Sequence, residues 1–127
     1  IGHSYGGSCA VEVARRQSVQ AAPLCLLTVD AVARRQKSVR PACVEWWGNA
    51  YLQDGGGFMD AVPRIGGRWG HCAGADANLA FSGYSRDRKG RLYSHRRPAP
   101  MLYEPPGEEA CSLFQAAASW LERNLPD

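Results

Sequence analysis

The hydrophobic pattern along the chain predicts alternating helices and strands. An uninterrupted apolar run over residues 24–29 predicts a short strand that is buried on both faces, as in a parallel sheet. The segments 44–53 and 76–84 are rich in aromatic or apolar residues and predict two further strands. A helix is predicted over residues 4–17, where small and apolar residues recur at helical spacing: Cys9, Ala10, Val13 and Ala14.

The segments between these elements are predicted to be loops, and a helix is predicted near the end of the chain. Residues 31–42 are basic and predict a surface loop or a short helix. Residues 58–75 are rich in glycine and proline, and residues 85–100 are charged and end in prolines, so both predict loops. Residues 108–124 predict a helix with an apolar stripe formed by Leu113, Phe114, Ala117, Trp120 and Leu121. Together the elements predict a single α/β domain, a mostly parallel sheet flanked by helices.

Composition agrees with a globular domain and limits the partners. The chain has 127 residues, of which 45% are apolar and 21% are charged. It contains no apolar run of about 18 residues, so no transmembrane segment is predicted. The net charge of +3 is too small to indicate a nucleic-acid partner. We interpret the basic runs 34–40 and 86–97 as solvated loops.

The cysteines argue against a disulfide framework and against a zinc site. They are scattered, odd in number and without a C-x-x-C pair, which favours free thiols and a reducing compartment such as the cytoplasm, with secretion left open. His71, Cys72 and Asp76 also lack familiar zinc spacing, so no metal is predicted. The five cysteines are Cys9, Cys25, Cys43, Cys72 and Cys111.

The main chemical signal lies at residues 2–6, Gly-His-Ser-Tyr-Gly, which match the pattern G-x-S-x-G. In this pattern the serine, here Ser4, occupies a sharp turn between a strand and a helix. The glycines at positions 2 and 6 are expected to permit close approach of neighbouring backbone. The helix that follows points its N-terminus at the serine, so the N–H of Tyr5 is a candidate oxyanion donor.

The sequence GHSYGG resembles the nucleophile elbow of the α/β-hydrolase family, which includes lipases, esterases and thioesterases. The resemblance covers nearly the whole chain and corresponds to the second half of the family's fold. It implies that further strands, and the loop with a second oxyanion donor, precede Ile1. We therefore expect the chain to be the C-terminal part of a longer hydrolase, poorly stable and at most weakly active by itself.

The resemblance also implies an acid after the serine, and Asp30 is the first candidate. Asp30 follows the buried strand 24–29, at the end where α/β sheets present functional groups. A lipase subgroup of the family places its acid after this strand in a D-P-A-like context, and Ala31 stands here in place of the proline. Most family members place the acid one strand later, so Asp54 and Asp60 remain alternatives.

The family carries its general base between the last strand and the last helix, which implies His95 for this role. His71 is the second candidate, although it precedes the last predicted strand. His3 lies inside the elbow and cannot easily turn back onto Ser4.

These assignments predict a serine hydrolase that cleaves carboxylic esters, lipid esters or thioesters through an acyl-enzyme. Ser4 would be the nucleophile, His95 the base and Asp30 the acid that orients it. The substrate would be a small-molecule or lipid ester, and no cofactor would be required. The alternative is a truncated, non-catalytic hydrolase-like module that binds a ligand or partner.

Overall fold

The computed structural model describes residues 1–17, 24–34, 39–55, 60–108 and 110–124. Four strands and four helices occur in these ranges. In chain order they are β1 (Gly2–His3), α1 (Tyr5–Arg15), β2 (Leu24–Val29), β3 (Val44–Asp54), α2 (Ala61–Ile65), β4 (Ala77–Ser82), α3 (Pro98–Tyr103) and α4 (Leu113–Asn124).

The strands form one sheet in the order β1-β2-β3-β4, and every neighbouring pair is parallel. The predicted α/β class with a parallel sheet is therefore confirmed. In the register of the sheet, Thr28 lies beside both Gly2 and Asn49, and Asn49 lies beside Asn78. Because all four strands run in the same direction, their carboxyl ends meet at one edge, where the segments after β1, β2 and β3 begin.

Each face of the sheet is covered by helices, because successive side chains of a strand point to opposite faces. Leu26 packs on the face covered by α1, whereas Leu27 packs on the face covered by α3 and α4. The α1 face is completed by Val11, Ala14, Val44, Trp47 and Cys72. The core on the opposite face contains Val29, Ala50, Leu52, Phe81, Tyr93, Met101, Leu102, Leu113 and Ala117.

Two helices lie in segments that the sequence predicted to be loops, and these predictions are wrong in part. α2 lies within residues 58–75, and α3 begins within residues 85–100. Both contain proline in the first turn, at Pro63 and at Pro98. The first turn has no intrahelical acceptor for its N–H groups, so proline is tolerated there and its fixed φ favours helix initiation. Where residues 31–42 are described they form no helix, and residues 35–38 lie outside the described part.

The last helix begins at Leu113 and not at residue 108, and a capping box sets this start. The N–H of Ser112 donates to Gln115 Oε1 at 2.9 Å, and the N–H of Gln115 donates to Ser112 Oγ at 3.1 Å. This reciprocal pairing satisfies two backbone donors near the helix N-terminus. No helix in the described part of the chain is long and apolar enough to cross a membrane.

The glycines of the elbow have different packing roles. A Cβ at Gly2 would lie 2.2 Å from the carbonyl oxygen of Gly6, and a Cβ at Gly7 would lie 2.7 Å from the Cβ of Ala31. A Cβ at Gly6 would meet no described atom within 4 Å. Close approach is thus required at positions 2 and 7. The expectation for position 6 is wrong because this residue lies on the exposed side of α1.

This difference predicts the outcome of two alanine substitutions within one motif. Gly2→Ala places a methyl group against backbone that cannot move away, and we expect it to lower the free energy of unfolding by at least about 3 kcal/mol. Gly6→Ala is the matched control, and we expect it to leave stability unchanged or raise it by up to about 1 kcal/mol. Urea denaturation of both variants measures this, and equal stabilities would contradict the packing described here.

Candidate active site

Ser4 occupies a strained turn between β1 and α1. Its backbone has φ 56° and ψ −131°, which a non-glycine residue rarely adopts and which stores about 1–3 kcal/mol. The Ser4 N–H donates to the carbonyl of Val29 at 3.1 Å. The Ser4 carbonyl accepts from the N–H groups of Gly7 at 3.0 Å and Val32 at 3.1 Å. Three backbone hydrogen bonds therefore hold the strained residue in place.

The structure brings Ser4, His95 and Asp30 into one hydrogen-bonded chain. His95 Nε2 lies 2.8 Å from Ser4 Oγ, and His95 Nδ1 lies 2.6 Å from Asp30 Oδ2. A neutral imidazole with its proton on Nδ1 fits both contacts: Nδ1–H donates to the carboxylate, and Nε2 accepts a hydrogen bond from the serine hydroxyl. The imidazole is 13% exposed and the Asp30 side chain is fully buried.

Asp30 is held at the carboxyl end of β2 by its own backbone and by its neighbours. It has a positive φ of 44°, and its N–H donates to the carbonyl of Ala50 at 2.7 Å. Its Oδ1 accepts the N–H of Leu52 at 3.3 Å. The carboxylate is thereby directed away from β2 and towards the loop that carries His95.

A second cationic group also contacts Asp30. Arg68 Nε lies 2.9 Å from Asp30 Oδ1, and Arg68 Nη2 donates to Asp30 Oδ2 at 3.0 Å. Arg68 Nη2 also lies 3.4 Å from Asp60 Oδ1. Asp30, Arg68 and Asp60 thus form a nearly buried row of alternating charges next to the imidazole.

The other candidate residues lie elsewhere. Asp54 is exposed at the end of β3, and its Oδ1 accepts the N–H of Gly83 at 3.0 Å. Asp60 contacts Arg68, which contacts Asp30, so two residues lie between the Asp60 carboxylate and the imidazole. His71 is exposed and lies edge-on to the ring of Tyr51, with 6.5 Å between the ring centroids.

The loop that carries His95 is anchored on both sides of the imidazole. His3 Nε2 donates to the carbonyl of His95 at 2.7 Å, and the two rings lie 4.8 Å apart. Burial lowers the pKa of His3, and the hydrogen bond to the His95 carbonyl offsets this only in part. His3 therefore holds the backbone of the residue whose imidazole contacts Ser4.

Two further contacts hold the same loop. Tyr93 donates its hydroxyl proton to Glu104 Oε2 at 3.0 Å, and burial together with this acceptor raises the pKa of Tyr93 to about 12. Asp87 Oδ2 accepts from Arg97 Nη1 at 2.9 Å. Burial tends to raise the pKa of Asp87, but hydrogen bonds from the backbone of Arg91 and from Arg97 outweigh it and lower the pKa.

A buried polar row crosses the sheet on the α1 face and fixes the loop before β4. Trp47 Nε1 donates to Thr28 Oγ1, which donates to Asn49 Oδ1, each at 2.9 Å. Asn49 Nδ2 in turn donates to Asn78 Oδ1 at 2.9 Å. Asn78 binds both backbone groups of Cys72, again at 2.9 Å. The loop that carries Arg68 is therefore attached to the centre of the sheet.

Tyr5 is the first residue of α1, directly after Ser4. The first N–H groups of a helix have no intrahelical acceptor, and the helix dipole places partial positive charge there. The Tyr5 side chain is 69% exposed, so the turn is accessible from solvent. The N–H of Tyr5 thus belongs to the first turn of α1, next to Ser4.

The residues considered for a metal have other partners. Asp76 accepts hydrogen bonds from Arg40 Nη1 at 3.0 Å and from the Trp47 N–H at 2.8 Å. Burial tends to raise the pKa of Asp76, but these donors outweigh it and lower the pKa. Across the described ranges, no group of three or more histidine, cysteine or acidic side chains is arranged to hold a metal ion.

Sequence reasoning missed Arg68, the link from Asp60 to Asp30, and the contact of His3 with the His95 carbonyl. Arg68 is 38 residues from Asp30, and no local pattern connects them. The sequence offered only a weak signal for Arg68. This arginine lies between a glycine pair and Trp69, in a segment that has too few apolar residues to be a strand.

Comparisons of the chain with models of protein families, with curated proteins and with solved structures find no match.

Proposed function

We propose that this protein is a serine hydrolase that cleaves carboxylic esters, lipid esters or thioesters, with a partial α/β-hydrolase fold. The observation that carries the proposal is the contact chain from Ser4 Oγ through the His95 imidazole to Asp30, with separations of 2.8 Å and 2.6 Å. The strained backbone of Ser4 between a strand and a helix supports it, because the same turn presents the nucleophile in the α/β-hydrolase elbow.

In the proposed reaction, Ser4 Oγ attacks the carbonyl carbon of the ester. His95 Nε2 takes the serine proton as the C–O bond forms, and then gives this proton to the leaving alcohol or thiol. An acyl-enzyme on Ser4 and the free alcohol or thiol result. A water molecule, deprotonated by the same imidazole, then attacks the acyl-enzyme and releases the carboxylic acid.

Asp30 and Tyr5 have supporting roles in this mechanism. Asp30 keeps the proton of the neutral imidazole on Nδ1 and stabilises the imidazolium that forms during attack. The Tyr5 N–H donates to the oxyanion of the tetrahedral intermediate, and one such donor is worth about 10²–10³ in rate. None of these steps requires a metal or an organic cofactor.

The proposal is tested by labelling the chain with a fluorescent fluorophosphonate, which reacts with activated serines. We expect one adduct, located on Ser4 by peptide mapping, even where turnover is slow, because labelling needs a single attack. Protein denatured in urea is the control, since an unactivated serine reacts slowly. A folded chain that stays unlabelled would contradict the proposal and favour a non-catalytic hydrolase-like binding module.

A further inference from the structure

Two charged residues next to Asp30, Arg68 and Asp60, have no role in the mechanism proposed above. Arg68 Nη2 donates to Asp30 Oδ2 and is shared with Asp60, while Arg68 Nε lies 2.9 Å from Asp30 Oδ1 without the geometry of a hydrogen bond. The side chains of Asp30, Arg68 and Asp60 are 0%, 12% and 10% exposed. Charges shielded from water to this degree interact more strongly than surface pairs.

Arg68 competes with the imidazole for the same carboxylate oxygen. Asp30 Oδ2 accepts from His95 Nδ1 at 2.6 Å and from Arg68 Nη2 at 3.0 Å. A buried carboxylate favours the protonated imidazolium, and a cation on that carboxylate opposes it. Asp60 acts in the reverse sense, because it withdraws part of the arginine charge from Asp30.

The backbone around Arg68 keeps the guanidinium in place. Arg68 forms an isolated antiparallel bridge with Val32, two residues after Asp30. The N–H of Trp69 donates to the carbonyl of Ala31 at 3.0 Å, and the N–H of Ala33 donates to the carbonyl of Gly67 at 2.9 Å. The segments after β2 and before β4 are therefore fastened together on both sides of the ion pair.

The other titratable and charged groups near the imidazole are expected to have smaller electrostatic effects on it. His3 lies 4.8 Å from it, ring to ring, and burial favours its neutral form. Arg97 is paired with Asp87, and Arg96 is exposed to screening solvent. Arg68 lines a cavity of about 370 Å³ together with two exposed groups of opposite charge, Arg64 and Asp54.

We propose that Arg68 and Asp60 are positioning residues that orient Asp30 and set how strongly its carboxylate acts on the His95 imidazole. Arg68 offsets part of the negative charge that Asp30 presents to the imidazole, and Asp60 offsets part of the positive charge of Arg68. The consequence for catalysis rests on the proposed function, whereas the effect on the imidazole does not.

The test is an NMR titration of the His95 ring protons in the full chain, with the signal identified by its loss in His95→Gln. We expect Arg68→Gln to raise the titration midpoint by about one pH unit, because Asp30 then acts on the imidazole unopposed. Asp60→Asn is expected to lower the midpoint by about half a unit, because Arg68 then acts on Asp30 alone. Arg68→Lys keeps the charge, and its midpoint should stay closest to that of the unmodified chain.

The double variant Arg68→Gln/Asp60→Asn separates charge from structure. It removes one charge of each sign, so its midpoint should lie between those of Arg68→Gln and the unmodified chain. If Arg68→Gln does not fold, the two other variants still test the proposal. The midpoint of the double variant should then lie above that of the unmodified chain, and the midpoint of Asp60→Asn should lie below it. Equal midpoints, or a rise in Asp60→Asn, would overturn the proposal.

Two readouts distinguish failure of this inference from failure of the proposed function. If Ser4 is labelled by the fluorophosphonate but the midpoints do not move, the positioning role of Arg68 and Asp60 is rejected and the hydrolase proposal stands. If the midpoints move in the expected order but the folded chain is never labelled, the hydrolase proposal is wrong and the charge arrangement stands. If both hold, the acid limb of the labelling rate should shift with the midpoints.

Discussion

Replacing Ser4 with alanine is expected to lower kcat for a carboxylic ester by about 10⁴- to 10⁶-fold, which in a weakly active chain is loss to background. The substitution removes the oxygen that we propose as the nucleophile, which lies 2.8 Å from His95 Nε2. The position of this oxygen is set by the positive φ of Ser4 and by three backbone hydrogen bonds. Hydrolysis of p-nitrophenyl acetate and butyrate measures the effect.

Ser94→Ala is the matched control for this prediction. Ser94 precedes His95 in the same loop, and its backbone carbonyl accepts the N–H of Arg97 at 3.0 Å. A change at its side chain should leave the rate within about threefold of the unmodified chain. Ester hydrolysis that survives in Ser4→Ala and disappears in Ser94→Ala would place the nucleophile elsewhere and reject the mechanism.

Replacing Asp30 with asparagine is expected to lower kcat by about 10⁴-fold with little change in KM. The amide keeps the shape of the side chain but can present an N–H to His95 Nδ1, which favours the wrong tautomer of the imidazole. Nε2 then carries a proton and cannot accept one from Ser4. The rate is measured per folded molecule, because the change also leaves Arg68 with one acidic partner fewer and should lower stability.

Asparagine at Asp54, an alternative candidate for the acid, is the control for the loss of rate expected in Asp30→Asn. Asp54→Asn alters a carboxylate that is exposed and bound to the N–H of Gly83, so its rate should stay within about threefold. If Asp54→Asn lost the activity while Asp30→Asn kept it, the acid would act from the end of β3. The contact between His95 and Asp30 would then be structural only.

Asp30 contacts both the His95 imidazole and the Arg68 guanidinium. Its carboxylate is fully buried, and the imidazole, the guanidinium and the Leu52 N–H together satisfy its two oxygens. A buried carboxylate with fewer donors would be unfavourable to ionise. Arg68 therefore offsets part of the negative charge of the carboxylate that also contacts the His95 imidazole.

The sequence alone predicted those features that depend on local order. The apolar run 24–29 determined a central parallel strand, because a strand buried on both faces has no polar side to alternate with. The G-x-S-x-G pattern located the turn at Ser4, and the start of α1 at Tyr5 follows from it. Two helices were missed because their first-turn prolines were taken for loop, and the last helix was predicted to begin at residue 108, before the Ser112–Gln115 capping box that sets its start.

Only the tertiary structure determined which side chains meet. The sequence left three acids open as partners of the base, and a choice among them needs the positions of the strand ends relative to the His95 loop. That geometry follows from sheet order and register, which are set by packing across the two faces and not by neighbours along the chain. Arg68 reached Asp30 for the same reason: 38 residues of chain separate them, and a hydrogen-bonded loop brings them to 3.0 Å.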